Sequence, residues 1–309
     1  MQTTIYIPNF EGARWLGRAL ESLRGQTRPA DVVVVDNGSG DGSVELVRSD
    51  FPEVKLVETG ANLGFGPALN RAVAEHPAEA LILFNNDAAA EPRFVEALLD
   101  GLGEGVEMVA GVLTQERDPG LIDSAGVVAD RTLMGFDHLH GEPSAAALGA
   151  PDPLGPTGGA GLYRRPAFEA VGGFDERIFL YYEDLDLALR LGARGGRCRL
   201  AAEARALHAY SATLGAGSGA KYERTGWSRA YMLRRYGVMS SPRLAVRALA
   251  CEAALCAGQL LADRTAKGIA GRLRGWREAA GLERRDAAGA ALLELSAREA
   301  LALRRRRRK

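Results

Sequence analysis

The sequence predicts an α/β protein with a mainly parallel central sheet, followed by a C-terminal helical region. Three observations support this prediction. Over residues 1–102, short apolar runs alternate with amphipathic segments in the order βαβαβαβα. The apolar runs are nearly continuous, as in strands that helices cover on both faces. From Lys221 onward, strand patterns give way to helical spacing of the apolar residues.

Turn and capping residues set the bounds of the predicted elements. The strands are predicted at 3–8, 31–36, 54–57, 81–84 and 106–112, and the helices between them at 13–24, 44–49, 67–75 and 94–102. A helix is expected after Tyr182, ending at Gly192 or Gly195, and short strands at 198–201 and 204–208. Residues 113–157 are less regular and contain a Pro/Ala/Gly-rich patch, which predicts a mobile loop over the site.

Charge divides the chain into two zones. The net formal charge is zero, but residues 221–309 hold 21 Lys and Arg against 8 Asp and Glu. An acidic body therefore carries a basic region. We predict a sheet domain over residues 1–215 and a basic helical region over 216–309, with helices at 224–236, 242–262, 267–280 and 286–308.

Composition argues against several other classes of protein. The three cysteines form no CxxC pair and histidine is scarce, which argues against a zinc site or a disulfide framework and fits a reducing cytoplasm. We expect no signal peptide, since the chain begins in a strand pattern. Arg247 and Glu252 interrupt the apolar stretch 244–262, which argues against a membrane span. No aromatic residues are interleaved with the terminal arginines, so we expect no nucleic acid.

Polar side chains follow the predicted strands at their carboxyl ends, where open α/β sheets bind ligands. They are Asn9, Glu11, Asp36, Asn37, Asn62 and Asp87. Asp36 can accept a hydrogen bond from a pyrimidine imide or a ribose hydroxyl, although Asp-Asn-Gly is also a common turn. Small residues at 158–161, including Gly159 and Ala160, permit a close approach of the backbone to a ligand.

Asn85-Asn86-Asp87 offers one carboxylate and two amides at a strand end. A hard cation such as Mg²⁺ or Mn²⁺ takes oxygen ligands, often only one or two of them from protein. The alternative is an Asx turn before Pro92. His208 is a candidate further ligand, and its alternative is a packed, hydrogen-bonded side chain at a strand end.

Five carboxylates fall within residues 175–186, and Glu183 and Asp184 come in or just before the first turn of a predicted helix. Free N–H groups and the helix dipole stabilise negative charge there. A carboxylate held ionised beside an apolar wall can accept a proton from a bound hydroxyl group. The alternative is a charged cap followed by a solvated helix face.

Taken in order, these motifs resemble those of inverting GT-A glycosyltransferases of family 2, especially bacterial rhamnosyltransferase-like members. The matching pieces are Ile5-Tyr-Ile-Pro-Asn9, Val35-Asp-Asn-Gly-Ser39 with Asp41-Gly-Ser43, Asn62-Leu-Gly-Phe65 with Asn70, Asn85-Asn86-Asp87, Gly159-Ala-Gly161, Gly172-Gly-Phe-Asp-Glu176, Tyr182-Glu-Asp-Leu-Asp186 and His208. The resemblance covers about residues 1–210 and implies the GT-A fold of nucleotide-diphospho-sugar transferases.

The resemblance also implies roles for the matching positions. The substrate-binding positions would be Pro8, Asn9, Glu11, Asp36, Asn62, Gly64, Asn86, Gly159 and Ala160, with Asp36 on the pyrimidine base. Asn86 and Asp87 stand where the family carries its DxD metal motif. Asn85 replaces the first carboxylate of that motif here. Asp87 and His208 would hold Mg²⁺ or Mn²⁺. Asp184, with Glu183 beside it, stands where the family carries its catalytic base.

These expectations amount to an inverting glycosyltransferase. Its donor would be a dTDP- or UDP-sugar, with rhamnose the first choice, and its acceptor a lipid-linked or cell-surface glycan. We expect a cytoplasmic enzyme whose basic helices contact the anionic inner face of the membrane, with homodimerisation left open. The alternatives are a sugar-phosphate nucleotidyltransferase, which would carry a Gly-rich basic loop that residues 8–12 lack, and a non-catalytic scaffold of the same fold.

Overall fold

A computed structural model of the chain describes residues 1–209 and 218–306, without the side chains of residues 305 and 306. The strands are β1 (Thr3–Asn9), β2 (Asp31–Asp36), β3 (Lys55–Glu58), β4 (Ala80–Phe84), β5 (Ala88–Ala90), β6 (Val106–Gln115), β7 (Asp118–Ser124), β8 (Val127–Ala129), β9 (Gly135–Asp137), β10 (Ala160–Arg164) and β11 (Arg197–His208). The helices are α1 (Ala13–Arg24), α2 (Ser43–Asp50), α3 (Phe65–Glu75), α4 (Phe94–Asp100), α5 (Arg165–Ala170), α6 (Glu183–Gly192), α7 (Gly219–Arg235), α8 (Pro242–Leu261), α9 (Lys267–Glu278) and α10 (Ala297–Arg306).

The central sheet has the strand order β3-β2-β1-β4-β10-β6-β11-β5, and β7 pairs with β6. Its first four strands are parallel, as the βα repeat predicts, and the register places Asn9 opposite Asp36 at their carboxyl ends. β10 lies antiparallel between β4 and β6, with Ala160 opposite Phe84. Gly159 therefore comes to the same rim of the sheet as the residues that follow β4.

Helices cover both faces of this sheet. Successive strand residues point to opposite faces, so each strand contributes side chains to two cores. Ile5, Ile7 and Val34 face a core that α1, α2 and α4 close. Tyr6 and Val33 face the other core, which α3, α6 and α7 close. The apolar strands are thus buried on both sides, as their unbroken hydrophobic sequences predict.

The prediction of a mobile loop at residues 113–157 is wrong. β6 extends to Gln115, β7 returns antiparallel to it, and β8 and β9 form a two-stranded sheet. Backbone hydrogen bonds join this region to itself, including Ile122 N to Glu142 O and Val127 N to Gly155 O. β8 and β9 have three residues each, too few to show a hydrophobic period, and β7 opens with the turn residues Asp118-Pro-Gly120, so the sequence pattern did not reveal them.

The C-terminal helices pack on the sheet domain through buried polar contacts. Arg229 of α7 is fully buried, donates to Thr132 O, and pairs with Glu252 of α8 at 2.7 Å. Arg285 pairs with both Asp175 and Asp186. A buried charge is tolerated only with such partners, so these pairs specify where the helices sit. The boundary predicted at residue 215 lies outside the described residues.

The last predicted helix, at 286–308, is wrong over its first half. Within the described residues it begins only at Ala297, and Leu293 N instead donates to Ala129 O beside the β8–β9 sheet. Apolar residues of 293–301 pack there with Met134 and Cys251. The apolar spacing that predicted one continuous helix therefore comes from residues that pack into the same apolar cluster, some of them before the helix begins.

Candidate functional site

One hydrogen-bonded network joins the carboxyl ends of β1, β2 and β4. Asn9 Nδ2 donates to Asp36 Oδ2 at 3.1 Å, and Asn86 Nδ2 donates to Asn9 Oδ1 at 2.7 Å. All three side chains are at most 9% exposed. The other carboxylate oxygen, Asp36 Oδ1, accepts from Gly38 N and Ser39 N. These bonds leave acceptor capacity on a carboxylate whose orientation is set, which is what recognition of a base or ribose needs.

The loop after β1 is tied to the loop after β2. Glu11, at φ +51°, donates its N–H to Ser39 Oγ and accepts from Gly40 N at 2.8 Å. Pro8 precedes this loop on β1, half-buried, and pairs with Val35. Glu11 and Pro8 therefore flank Asp36. The contacts that hold Glu11 come from the hydroxyl group of Ser39 and the backbone N–H of Gly40. The sequence analysis did not select these two residues as binding residues.

The loop before α3 connects this rim to the segment before α6. Asn62 is exposed and caps the loop by accepting from Gly64 N. Gly64 has φ +95°, and a Cβ there would meet Phe179 O at 2.5 Å. Phe65 N donates to that same carbonyl at 2.8 Å. Glycine is required at position 64 both for its backbone conformation and for this close approach.

A second cluster surrounds the imidazole of His208. Its Nε2 lies 3.2 Å from Asp87 Oδ1 and 3.2 Å from Asn85 Nδ2, and its Nδ1 lies 2.6 Å from Asp123 Oδ2. Burial lowers the pKa of His208, but the hydrogen bonds to Asp123 and Asp87 outweigh it and raise the pKa to about 10. In this state the imidazole is protonated at neutral pH and balances two carboxylates.

Asp123 is a site residue that the sequence analysis missed. It lies on β7 in the region predicted as a loop, is 6% exposed, and also contacts His140. Burial raises its pKa, but the hydrogen bonds from His140 and His208 lower that pKa well below its usual range. No local signal marks Asp123, because it stands 85 residues from His208 and only the pairing of β7 with β6 brings it there.

The two carboxylates at the start of α6 differ in environment. Glu183 is 6% exposed, and burial together with the neighbouring charge of Asp184 raises its pKa to about 8. Asp184 is half-buried and accepts from Leu185 N at 2.7 Å. Glu183 is thus a neutral group at pH 7, beside a carboxylate that is more open to solvent. The segment that leads into α6 contacts Gly64 through Phe179, as described above.

Gly159 and Ala160 close the rim between the two clusters. Gly159 O accepts from Asn85 N at 3.2 Å, and a Cβ at position 159 would lie 2.6 Å from Asn85 Nδ2. Ala160 is fully buried and pairs with Phe84. The small side chains therefore admit the amide of Asn85, which in turn contacts His208.

The donor atoms at His208 fit a divalent metal. An imidazole nitrogen and a carboxylate oxygen face each other, and Asp123 on the far nitrogen is the kind of partner that orients metal-bound histidines. Within residues 1–209 and 218–306, no group of three or more His, Cys, Asp or Glu side chains has the geometry to hold a metal ion. A metal at this position would take Asp87 and His208 as protein ligands and complete its shell with phosphates and water.

A cavity of about 170 Å³ lies on the other side of Phe179. Arg177, Arg224 and Arg274 line it, together with Trp227 and Glu278. The Arg224 guanidinium stacks over the Phe179 ring at 3.5 Å and has no carboxylate within ion-pair distance among the described residues. Burial and the charge of Arg274 lower the pKa of Arg224. Arg274 pairs with Glu223 and Glu278, and Arg177 lies 3.9 Å from Asp175, so among these three arginines only Arg224 lacks an ion-pair partner within the described residues.

The chain is similar in sequence to known proteins. The model of the family "Glycosyl transferase family 2" matches residues 4–172. An N-acetylglucosaminyl-diphospho-decaprenol L-rhamnosyltransferase of Mycobacterium tuberculosis is 34% identical over 223 residues, which cover 62% of this chain and 71% of that protein.

Solved structures share the fold at low identity. A mannosyltransferase from Pyrobaculum calidifontis, in complex with GDP-Man and Mn²⁺, has a TM-score of 0.52 at 19% identity and covers 90% of this chain and 85% of its own. S. aureus TarS has a TM-score of 0.53 at 15% identity over 78% of this chain, and this chain spans 40% of TarS. The fold is the GT-A fold, and the predicted activity class is confirmed. The chain belongs to glycosyl transferase family 2.

Proposed function

We propose that this enzyme moves a sugar, rhamnose as the first choice, from a dTDP- or UDP-sugar to a hydroxyl group of a lipid-linked or cell-surface glycan, with inversion. The observation that carries the proposal is the pair of adjoining clusters at one rim of the sheet, Asn9–Asp36–Asn86 and Asp87–His208. The first suits a nucleoside, and the second suits a diphosphate held with a cation. The choice of rhamnose and of a lipid-linked acceptor rests on the activity of the mycobacterial relative.

Donor binding would use the fixed carboxylate of Asp36. Its oxygens are already oriented by Asn9 and by two backbone N–H groups, so donor binding would cost little side-chain conformational entropy at Asp36. Gly64 and Asn62 would approach the nucleotide from the neighbouring loop, and Gly159 would let the backbone come close to the sugar-diphosphate.

Asp87 and His208 Nε2 would hold Mg²⁺ or Mn²⁺. When bound, the ion stabilises negative charge on the departing nucleoside diphosphate. Asp123 would keep the proton of His208 on Nδ1 and leave Nε2 free to coordinate. Because Asp87 and Asp123 raise the pKa of His208 to about 10, the metal would have to displace a second proton, the one on Nε2.

Asp184 would act as the general base. The acceptor oxygen forms the new bond to the anomeric carbon, the bond from that carbon to the diphosphate oxygen breaks, and the acceptor proton passes to Asp184. One displacement without a covalent sugar–enzyme intermediate inverts the anomeric configuration. Glu183, which burial keeps protonated, would not compete for that proton; it places a neutral neighbour beside the base.

The basic cavity beside Phe179 supports an anionic acceptor. A lipid-linked glycan carries phosphate groups near its first sugar, and Arg224 and Arg177 offer guanidinium groups that suit phosphate oxygens. The cavity adjoins Phe179, whose carbonyl contacts the Gly64 loop, so the acceptor would enter next to the donor site. The enzyme would act at the inner face of the cell membrane.

A panel of nucleotide sugars, tested by thermal shift with and without Mn²⁺, examines the donor assignment. We expect dTDP- or UDP-sugars to stabilise the protein, and more strongly with Mn²⁺, while GDP-sugars do not. Product analysis by NMR then reports the anomeric configuration. Stabilisation by GDP-sugars alone, or retention of configuration, would overturn the assignment.

A further inference from the structure

The helix α8 turns two of its three charged side chains, Arg247 and Glu252, to the inside, and the third, Arg243, is exposed in its first turn. Glu252 pairs with Arg229 and with Arg272, each at 2.7 Å, and Arg247 pairs with the fully buried Asp130. These pairs anchor α8 to the folded body of the protein. A soluble surface helix normally shows the reverse arrangement, with charges outward and apolar residues inward.

The outward face of α8 is apolar from Val246 to the end of the helix at Leu261. Val246 is 70% exposed, Leu249 58%, Leu260 44% and Leu261 83%. The other residues of this face, also exposed, are Ala250, Ala253, Ala254 and Ala257. At 100° per residue these eight positions lie within an arc of about 140°, and they extend over about 22 Å of helix.

Exposed cationic side chains lie at the two ends of this face and form a basic rim: Arg243 in the first turn of α8, and Arg264 and Lys267 just past its end. Arg298 is exposed on α10, which packs against α8. Lys267 also lies 3.9 Å from Glu223. The acidic Asp263 at this end accepts a hydrogen bond from Tyr222. An apolar strip with a basic rim matches an anionic bilayer surface, where hydrocarbon takes up the leucines and phosphate groups meet the arginines.

The same arrangement argues for a helix that lies in the interface plane. α8 is the one described helix that is long and apolar enough to cross a membrane, a test that core helices of soluble proteins also pass. Crossing would expose Arg247 and Glu252 to hydrocarbon without the partners that the folded body supplies. Self-association through this face would bring two basic rims together, which like charges oppose.

We propose that the outward face of α8 docks on the anionic surface of a lipid bilayer. This inference rests on the proposed function, because docking on a bilayer would bring the enzyme to a lipid-linked acceptor in that bilayer. It adds the contact surface: Val246, Leu249, Leu260 and Leu261 enter the acyl boundary while the basic rim binds the headgroups.

The test is flotation of the full chain with vesicles of phosphatidylcholine, with and without phosphatidylglycerol. We expect the wild type to float with anionic vesicles and to be released by salt. Leu249→Glu should weaken this partitioning at least about tenfold, as expected when a leucine side chain can no longer enter hydrocarbon. Leu148→Glu is the matched control, because Leu148 is also 58% exposed but lies outside α8, and it should float like the wild type.

Sedimentation velocity without lipid completes the test. A monomeric wild type that floats, with loss only in Leu249→Glu, supports the proposal. A wild type that stays with the unbound fraction, equal flotation of Leu249→Glu, or a wild-type dimer that Leu249→Glu separates would overturn it. Donor binding by thermal shift is measured on the same proteins. Its failure would count against the proposed function, whereas failed flotation with intact donor binding counts only against this surface.

Discussion

Replacement of Glu183 by Gln tests whether burial keeps this carboxyl protonated. In the folded protein burial and Asp184 raise the pKa of Glu183 from 4.5 to about 8. The unfolded chain therefore releases this proton near pH 4.5 and the folded protein only near pH 8. Between these values the folded state binds more protons, so the contribution of Glu183 to stability falls as pH rises. Each unit of pKa difference is about 1.4 kcal/mol, which makes the full effect a few kcal/mol.

Glutamine has the same shape and cannot ionise. Relative to the wild type, Glu183→Gln should therefore gain stability between pH 5 and pH 8, by roughly 5 °C or more in Tm for a domain of this size. Differential scanning calorimetry at several pH values measures it. Glu45→Gln is the control, since Glu45 also lies in the first turn of a helix but is exposed; it should show no comparable gain in Tm.

The activity of Glu183→Gln gives the second half of this test. If Glu183 is the neutral neighbour of the base, Glu183→Gln should transfer sugar within about tenfold of the wild-type rate. That rate would be far higher than the rate of a variant that lacks the base. A Tm difference that stays flat from pH 5 to 8 would refute the argument that Glu183 is protonated in the folded state. A rate as low as that of a base variant would refute its neutral role.

Three further substitutions test the other assigned roles. Asp184→Asn should lower kcat by about 10²–10⁴-fold with donor affinity unchanged, measured by transfer and by donor titration, and wild-type turnover would remove Asp184 from the base role. Asp123→Asn should weaken Mn²⁺-dependent donor binding about 10–100-fold in calorimetric titrations, and EDTA should abolish the difference between variant and wild type; equal Mn²⁺ affinity would contradict the orienting role. Arg224→Ala should raise KM for a lipid-linked acceptor roughly tenfold and leave the donor KM unchanged, whereas an effect on the donor alone would place the cavity outside the acceptor path.

Local pattern was sufficient for the first half of the sheet. Ala13–Arg24 and Asp31–Asp36 have the predicted bounds, because helical spacing and unbroken apolar runs report burial directly. The meeting of Asn9, Asp36 and Asn86 was also predictable in outline. Parallel strands place their carboxyl ends at one rim, so polar residues that follow such strands must be neighbours.

The sequence by itself therefore determined the class of fold, the family and the rim of the sheet where Asn9, Asp36 and Asn86 meet. Only the tertiary structure decided that β10 enters between β4 and β6, that Asp123 contacts His208, and that α8 turns Arg247 and Glu252 inward. The physical reason is that periodicity reports how a segment is buried but not which distant segment buries it. Pairing over long separations depends on partners such as Asp130 and Arg229, and these leave no mark in the local pattern.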